Sequence, residues 1–359
     1  MLAGCNFFSN PGPTASGLGT SEPSASAAPS PTPTPTPVPR SVGSIVLVAA
    51  IGESGAGTPS AVAWQGIQEA GGNLGAAVSL VNPLTRAELA AAVAAAAERG
   101  TAVVVTVGSG AFQAVMDAAA AHPATQFLVL DQAIADDAPA NVRGLIFDES
   151  EAGYLAGVVA AGVTESKKVG FVGDLQTDAS SASYAGGFRN GSAEIDPSIE
   201  AEIAYAGRQD DTQRGRTAAA GLVKDGADVV VAMAGISGDG ALRGACDRKA
   251  KVIALETDAT LMLPDISGCL VVSVVKRYDV AIRDAVLGYA AGGDVPRVTM
   301  NDVASGGIAL TEFHAPVPPA LKDRLATVLA VLESGPPRPT PTPVPTPTPA
   351  ESPAESPAA

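Results

Sequence analysis

Short runs of β-branched residues alternate with helix-forming stretches through the middle of this chain, and nothing else in the sequence restricts its fold as strongly. "SIVLVAAI", "AAVSLV", "TAVVVTV", "QFLVL" and "VRGLIF" read as buried strands, and "KVGFVG", "IEAEIAY", "ADVVVAMAG", "KVIALETD" and "CLVVSVV" continue the series. Helical patterns fill the gaps: "SAVAWQGIQEAG", "TRAELAAAVAAAAERG" and "AFQAVMDAAAAH" first, then segments near 180–193, 211–225 and 240–250. Successive βα units connect by right-handed crossovers, which puts helices on both faces of a parallel sheet. One sheet holding every strand would be unusually wide, and the pattern pauses near Phe147. The prediction is an α/β protein of two Rossmann-like lobes with a central cleft.

The ends are of another kind. Residues 6–41 and 335–359 contain "SPTPTPTPVPR" and "PPRPTPTPVPTPTPAESPAESPAA". Proline there fixes φ, removes amide donors and favours extended polyproline segments, so both read as solvated tethers. Ahead of the first, residues 1–5 end in Leu2-Ala3-Gly4-Cys5, which looks like a bacterial lipobox with Cys5 as the acylated residue. The basic and apolar stretches that precede such a box in an export signal are not in front of it, so either the true start lies upstream or the front of the chain has been trimmed. No run of 18 apolar residues occurs, and a lipid on Cys5 is the expected route to a membrane.

Composition removes several function classes. The 37 acidic and 22 basic residues give a formal net charge of -15, and clustered phosphate contacts to nucleic acid are not expected from such a surface. "VVVAMAGISGDGAL" at 229–242 reads as a strand, a glycine-rich loop and a helix, yet Gly238-Asp239-Gly240 is followed by Ala241, Leu242 and Arg243, which fits neither a dinucleotide fingerprint nor a P-loop. "GESGAG" at 52–57 misses the nucleophile-elbow spacing. The two histidines, His122 and His314, are poorly placed to serve Ser54 or Ser60 as a base, and metal-ligand spacings are missing. Neither catalysis nor a cofactor nor a metal is expected. With Cys5 lipidated, Cys246 and Cys269 remain. They sit late in a helix and at the start of a strand, which share one end of a parallel sheet, so they form either a disulfide or two buried thiols.

Four blocks in order, "NVRGLIFDESEAGYLAGVVAA", "KKVGFVGDLQTDASSASYAGGFRNGS", "GADVVVAMAGISGDGA" and "VIALETDATLMLPDISGCLVVSVVKRYDVAI", resemble the basic membrane protein family, which includes purine nucleoside-binding lipoproteins of ABC transporters. The resemblance covers about residues 44–313. It implies a type I periplasmic-binding fold with three crossings between lobes, expected near Asp148, near Ser273 to Lys276, and near Arg297 to Asp302. Lobe 1 would hold 42–147 plus 274–297, and lobe 2 would hold 148–273 plus 298–334.

The same resemblance, with the rule that ligands bind beyond the carboxyl ends of parallel strands, selects the site. Asp131 ends "QFLVL" where the family places an acidic residue able to accept from ribose hydroxyls or a base N–H; Glu256 stands where the family generally has Asp, and Asp258 follows it as a ligand contact or a turn cap. Tyr184 is expected to offer its ring to the cleft, Phe188 to be core, and Gly235 and Gly238 to form a ligand wall. Lys276 either donates to the ligand or is a surface lysine beside Arg277. Nucleoside-binding members usually carry an aromatic residue just before the first helix. Thr58-Pro59-Ser60 stands there instead, leaving Glu53, Ser54 and Ser60 for polar contacts and Trp64 for core packing. The implied protein is a lipid-anchored, extracytoplasmic and monomeric solute-binding component of an ABC importer. Its ligand would be a nucleoside or another small polar ring compound, and its partners a permease and an ATPase. The alternative is a sensor of the same fold that signals through a membrane receptor or kinase.

Overall fold

Inward-facing residues on alternate strand positions build this fold. In β1 (Ser44–Val48), β3 (Val103–Val107) and β4 (Gln126–Leu130), Ile45, Leu47, Val103, Val105, Leu128 and Leu130 enter one apolar cluster. Val46, Val48, Val104, Phe127 and Val129 enter another on the opposite face. Both faces are covered, as a period of two requires of a parallel sheet packed between helices. The computed structural model describes residues 38–335 apart from Ser54, Ala234 and Asp294. Cys5, Ser54 and the Pro/Thr-rich stretches up to residue 37 and from 336 onward therefore lie outside the described residues.

The first sheet runs in the order β11-β5-β4-β3-β1-β2, with β2 (Ala77–Val81), β5 (Val142–Phe147) and β11 (Val298–Asn301) completing it. The second runs β12-β10-β9-β8-β6-β7. Its members are β6 (Lys168–Gly173), β7 (Glu200–Tyr205), β8 (Val229–Ala232), β9 (Lys251–Glu256), β10 (Leu270–Lys276) and β12 (Ile308–Leu310). Apart from the late edge strands, both sheets have the doubly wound order 2-1-3-4-5, whose switch points lie between β1 and β3 and between β6 and β8. β12 alone pairs antiparallel. This is the type I periplasmic-binding-protein arrangement of two α/β lobes.

Helices α1 (Pro59–Leu74), α2 (Arg86–Glu98) and α3 (Phe112–Ala121) follow strands of the first sheet. Thr58 caps α1 by accepting from the Ala61 N–H, Pro59 opens its first turn and Gly75 closes it in the left-handed region. The second sheet carries α4 (Glu149–Val163), α5 (Ala179–Ile195), α6 (Thr212–Lys224), α7 (Ile236–Cys246) and the short α8 (Ala259–Met262). α9 (Tyr278–Ala290) returns to pack on α1, and α10 (Pro319–Glu333) packs on α4. Trp64 is half-buried against the first cluster, and Phe188 is fully buried.

Two expectations need correction. β11 pairs in parallel with β5, from Val298 opposite Gly144 to Asn301 opposite Phe147, so residues 298–301 belong to the first sheet and not to the second lobe. The third passage between sheets therefore falls between Asn301 and Ile308. β11 and β12 are edge strands of four and three residues, too short for an alternating pattern to register in the sequence. The glycine-rich loop is likewise not a loop, because α7 begins at Ile236. Glycine is a poor helix former, but α6 and α7 lie too close for side chains: a Cβ on Gly215 would stand 1.8 Å from the Ser237 carbonyl oxygen, and one on Gly240 2.1 Å from that of Thr212. Cys246 and Cys269 are joined as a disulfide with Cα atoms 5.8 Å apart, tying the end of α7 to the approach to β10.

Candidate functional site

Lys276 is the last residue of β10, and its side chain is only 2% exposed. Its ammonium donates to Asp131 Oδ1 at 3.0 Å and Oδ2 at 2.9 Å, and to Glu149 Oε1 at 3.3 Å; Glu256 Oε1 lies 3.1 Å away. The three carboxylates come from three places: the end of β4 in the first sheet, the first turn of α4 after the first crossing, and the end of β9 in the second sheet. One side chain thus ties both lobes together at their carboxyl edges. Two aromatic rings complete the shell, Phe147 and Tyr184, each with its centroid 5.7 Å from the ammonium. Tyr184 Oη donates to Glu256 Oε1 at 3.1 Å, Tyr278 Oη donates to Asp131 Oδ2 at 3.2 Å, and Ser180 Oγ donates to Glu149 Oε1 at 2.6 Å.

Asp131 and Glu256 both have left-handed backbones, with φ of 59° and 74°. A non-glycine residue costs free energy there, and such conformations cluster where side-chain placement matters more than backbone comfort. The two occupy matching places in the two sheets, one residue beyond β4 and the last residue of β9. On the other side, α5 is held against α4 through glycines. A Cβ on Gly153 would lie 2.2 Å from the Tyr184 carbonyl oxygen, and one on Gly187 2.0 Å from that of Ser150. That close approach brings Ser180 and Tyr184 to the start of α4, where Glu149 stands in the turn capped by Asp148.

Burial works against the charge of Lys276, yet Glu256, the phenol groups of Tyr184 and Tyr278, and Asp131 together hold its pKa well above the ordinary lysine value. Burial pushes the Glu149 carboxyl up, with Lys276 and Ser180 opposing. Asp174, one residue beyond β6, is pushed up to about 6, first by burial and then by the charges of Glu256 and Asp178. The cluster carries one ammonium against three carboxylates before Asp174 is added. Groups that donate hydrogen bonds or carry positive charge suit such a place better than anions do.

The structure brings Asp131, Glu256, Tyr184 and Lys276 together, but with roles that differ from those expected. Lys276 is buried rather than a surface lysine, and its N–H groups are directed to carboxylates. Tyr184 is fully buried and offers its hydroxyl to Glu256, so it does not present an open stacking face to the cleft. Gly238 lies inside α7, where a Cβ would stand 1.6 Å from the Met233 carbonyl oxygen; it serves packing and not a ligand wall. Gly235 remains an exposed residue at the start of α7, with φ of 107°. Ser60 donates its hydroxyl to Glu53 Oε2 at 2.7 Å and accepts from the Ala50 N–H, while the same Glu53 oxygen accepts from the Ser60 N–H. Glu53 and Ser60 thus brace the start of α1. Asp258 caps α8 through Thr260. Glu149, Asp174, Phe147 and Tyr278 were not among the expected site residues. A signal for Glu149 existed: a lysine at a crossing between sheets needs acidic partners once buried, and "FDESEAG" supplies them at the other crossing.

Residues 42–328 match the family described as ABC transporter substrate-binding protein, PnrA-like. Among curated proteins, the chain is 31% identical over 182 residues to the ABC transporter nucleoside-binding protein BmpA of Lactococcus lactis, covering 50% of this chain and 51% of that protein. It is 27% identical over 147 residues to basic membrane protein A1 of Borrelia garinii, covering 40% and 43%. These matches span about half the length of the curated relatives, or less. Among solved structures, an ABC transporter solute-binding protein from Conexibacter woesei superposes with a TM-score of 0.67 at 25% identity, over 83% of this chain and 98% of that one. A transcriptional activator of the comK gene from Bacillus halodurans gives 0.69 at 18% identity, over 81% and 98%, a likeness of fold alone.

Proposed function

The chain belongs to the PnrA-like family of ABC transporter substrate-binding proteins, and from that premise we propose that it is the extracytoplasmic, lipid-anchored solute receptor of an ABC importer. The observation that carries this reading is the four-point cluster around Lys276, in which both sheets contribute carboxylates to one buried centre at their facing edges. A two-lobed receptor works by binding its solute better in the closed state than in the open one, and the closed form is what a permease recognises. A further contact supports closure: a methyl on Gly57, in the loop after β1, would come 2.8 Å from Leu261 Cβ on α8 of the other lobe. Cys5, ahead of the Pro/Thr-rich segment, would hold the receptor at the membrane.

A nucleoside is the proposed solute, supported by the likeness to the nucleoside-binding protein of Lactococcus lactis and by carboxylates suited to ribose hydroxyls. Sugars form the second reading. It is favoured by the absence of an aromatic residue before α1 and by a fold shared with a carbohydrate-binding protein from Agrobacterium radiobacter in complex with D-arabinose, at a TM-score of 0.53. Titration calorimetry of residues 38–335 with adenosine, cytidine, D-ribose and D-arabinose separates them. Nucleoside binding that Asp131→Asn and Glu256→Gln weaken about tenfold or more supports the first reading. Binding of the free pentoses alone supports the second, and chemical conversion of a probe would overturn both.

A further inference from the structure

Asp174 is the carboxylate in this site that nothing answers. It stands at the carboxyl end of β6, at the switch point between β6 and β8 where open α/β sheets hold their ligands. The residue is 8% exposed, and its carboxylate has no hydrogen-bond partner among the described residues. Its backbone is well fixed: the N–H donates to Ser181 Oγ at 3.2 Å, and the carbonyl accepts from the Gly207 N–H at 2.7 Å. Ser181 belongs to the same first turns of α5 that carry Ser180 to Glu149 and Tyr184 to Glu256, so Asp174 is anchored beside the Lys276 cluster.

Among the described residues, no cation reaches it. The charged groups that act on it are Glu256 from β9 and Asp178 from the loop before α5, both acidic. Lys276 is taken by its three carboxylates, and Arg208 and Arg214, from the neighbouring β7–α6 region, pair with Asp210 and Asp211. A largely buried carboxylate with only acidic groups beside it is costly, and a hydrogen-bond donor on a ligand entering from the cleft would offset that cost. What completes a carboxylate among other carboxylates is an N–H donor, best of all a positively charged one.

We propose that Asp174 reads the ligand directly, and that the solute class of this site is a ring compound presenting an amino or cationic nitrogen group to Asp174, in preference to one presenting a carbonyl or hydroxyl there. The assignment rests on the solute-binding reading above and names the solute's chemistry more closely. Asp174 accepts from the nitrogen group, while Asp131 and Glu256 remain available for hydroxyl donors elsewhere on the same molecule.

The test uses paired probes differing at one group: cytidine against uridine, adenosine against inosine, with 1-methyladenosine as a member that is cationic at the assay pH and cyclohexylamine against cyclohexanol as a pair without ribose. Titration calorimetry at pH 7.5 is expected to show the amino or cationic member binding about tenfold or more tightly than its partner, the worth of one charge-assisted hydrogen bond. In Asp174→Asn, and in Asp174→Ser as a second variant, that preference falls to about twofold or less while the oxo members keep their wild-type affinity. Glu256→Gln weakens both members of a nucleoside pair alike and keeps the preference. Equal affinity within pairs in the wild type, or a preference that survives both Asp174 variants, overturns this assignment and leaves the solute-binding reading standing. No binding of any of these probes to a correctly folded wild type overturns this assignment, and if D-ribose and D-arabinose also fail to bind, the solute-binding reading falls with it.

Discussion

Replacing Lys276 by methionine removes the one cation of the central cluster and keeps nearly the same side-chain length. In the wild type the ammonium lies 2.9 to 3.3 Å from oxygens of Asp131, Glu149 and Glu256. A pair of unit charges at about 4 Å is worth roughly 4 kcal/mol at an effective dielectric of about 20, and the ammonium has three such neighbours to offset its own desolvation. Without the lysine, three carboxylates face one another with no cation between them. Breaking a buried ion cluster from one side typically costs about 3 to 5 kcal/mol, and that is the loss expected in Lys276→Met at pH 8. The sign of the pH dependence follows. In the variant the folded state binds a proton at Glu149, which burial already pushes up and Lys276 no longer opposes, more tightly than the unfolded chain does. Stability of the variant therefore rises as pH falls, and its deficit against wild type shrinks between pH 8 and pH 5. Urea unfolding followed by circular dichroism at both pH values measures this. A deficit below about 1 kcal/mol at pH 8, or one that widens on acidification, would refute the reasoning that Lys276 holds the cluster together.

Asp174→Asn should stabilise the unliganded protein at pH 7.5. The folded carboxyl sits at about 6 against an ordinary 3.8, so in the wild type stability rises as pH falls through about 6 toward 4, with a ceiling of roughly 3 kcal/mol reduced by the contact with solvent at the cleft. Thermal unfolding across that range should show the slope in wild type and its loss in the variant. Gly57→Val, at a backbone φ of 83° and against Leu261, should obstruct closure and lower ligand affinity about tenfold, while far-ultraviolet circular dichroism stays unchanged. Replacing Cys246 and Cys269 by serine opens a loop with a sequence separation of 23 and should cost about 3 kcal/mol in the chain-entropy account, read as a lowered urea midpoint; an unchanged midpoint would argue against the bond. Expressed behind an export signal, Cys5→Ala should move the protein from the membrane fraction to the soluble one, and equal partitioning of both forms would remove the anchor.

Local periodicity was enough to identify β1 to β10 and most of the helices, because strand alternation and helical spacing are properties of neighbouring residues. The pause at Phe147 likewise marked the passage from the first sheet to α4. Nothing local announces β11 and β12, since three or four residues at a sheet edge gain their hydrogen bonds from a partner far along the chain. The glycines of "AGISGDGAL" read as a loop on propensity alone; they are helical because α6 and α7 touch backbone to backbone, a fact of packing. The site divides in the same way. Asp131 and Glu256 were legible as acidic residues at strand ends, a position that parallel sheets direct toward ligands. That they meet at one ammonium, that Glu149 joins them from the other crossing, that Tyr184 turns its hydroxyl inward, and that Asp174 is left without a partner are consequences of strand order and of two lobes facing each other. A charge in a sequence has no address in space, and only the tertiary fold decides which charges share a buried point and which one is left for a ligand to answer.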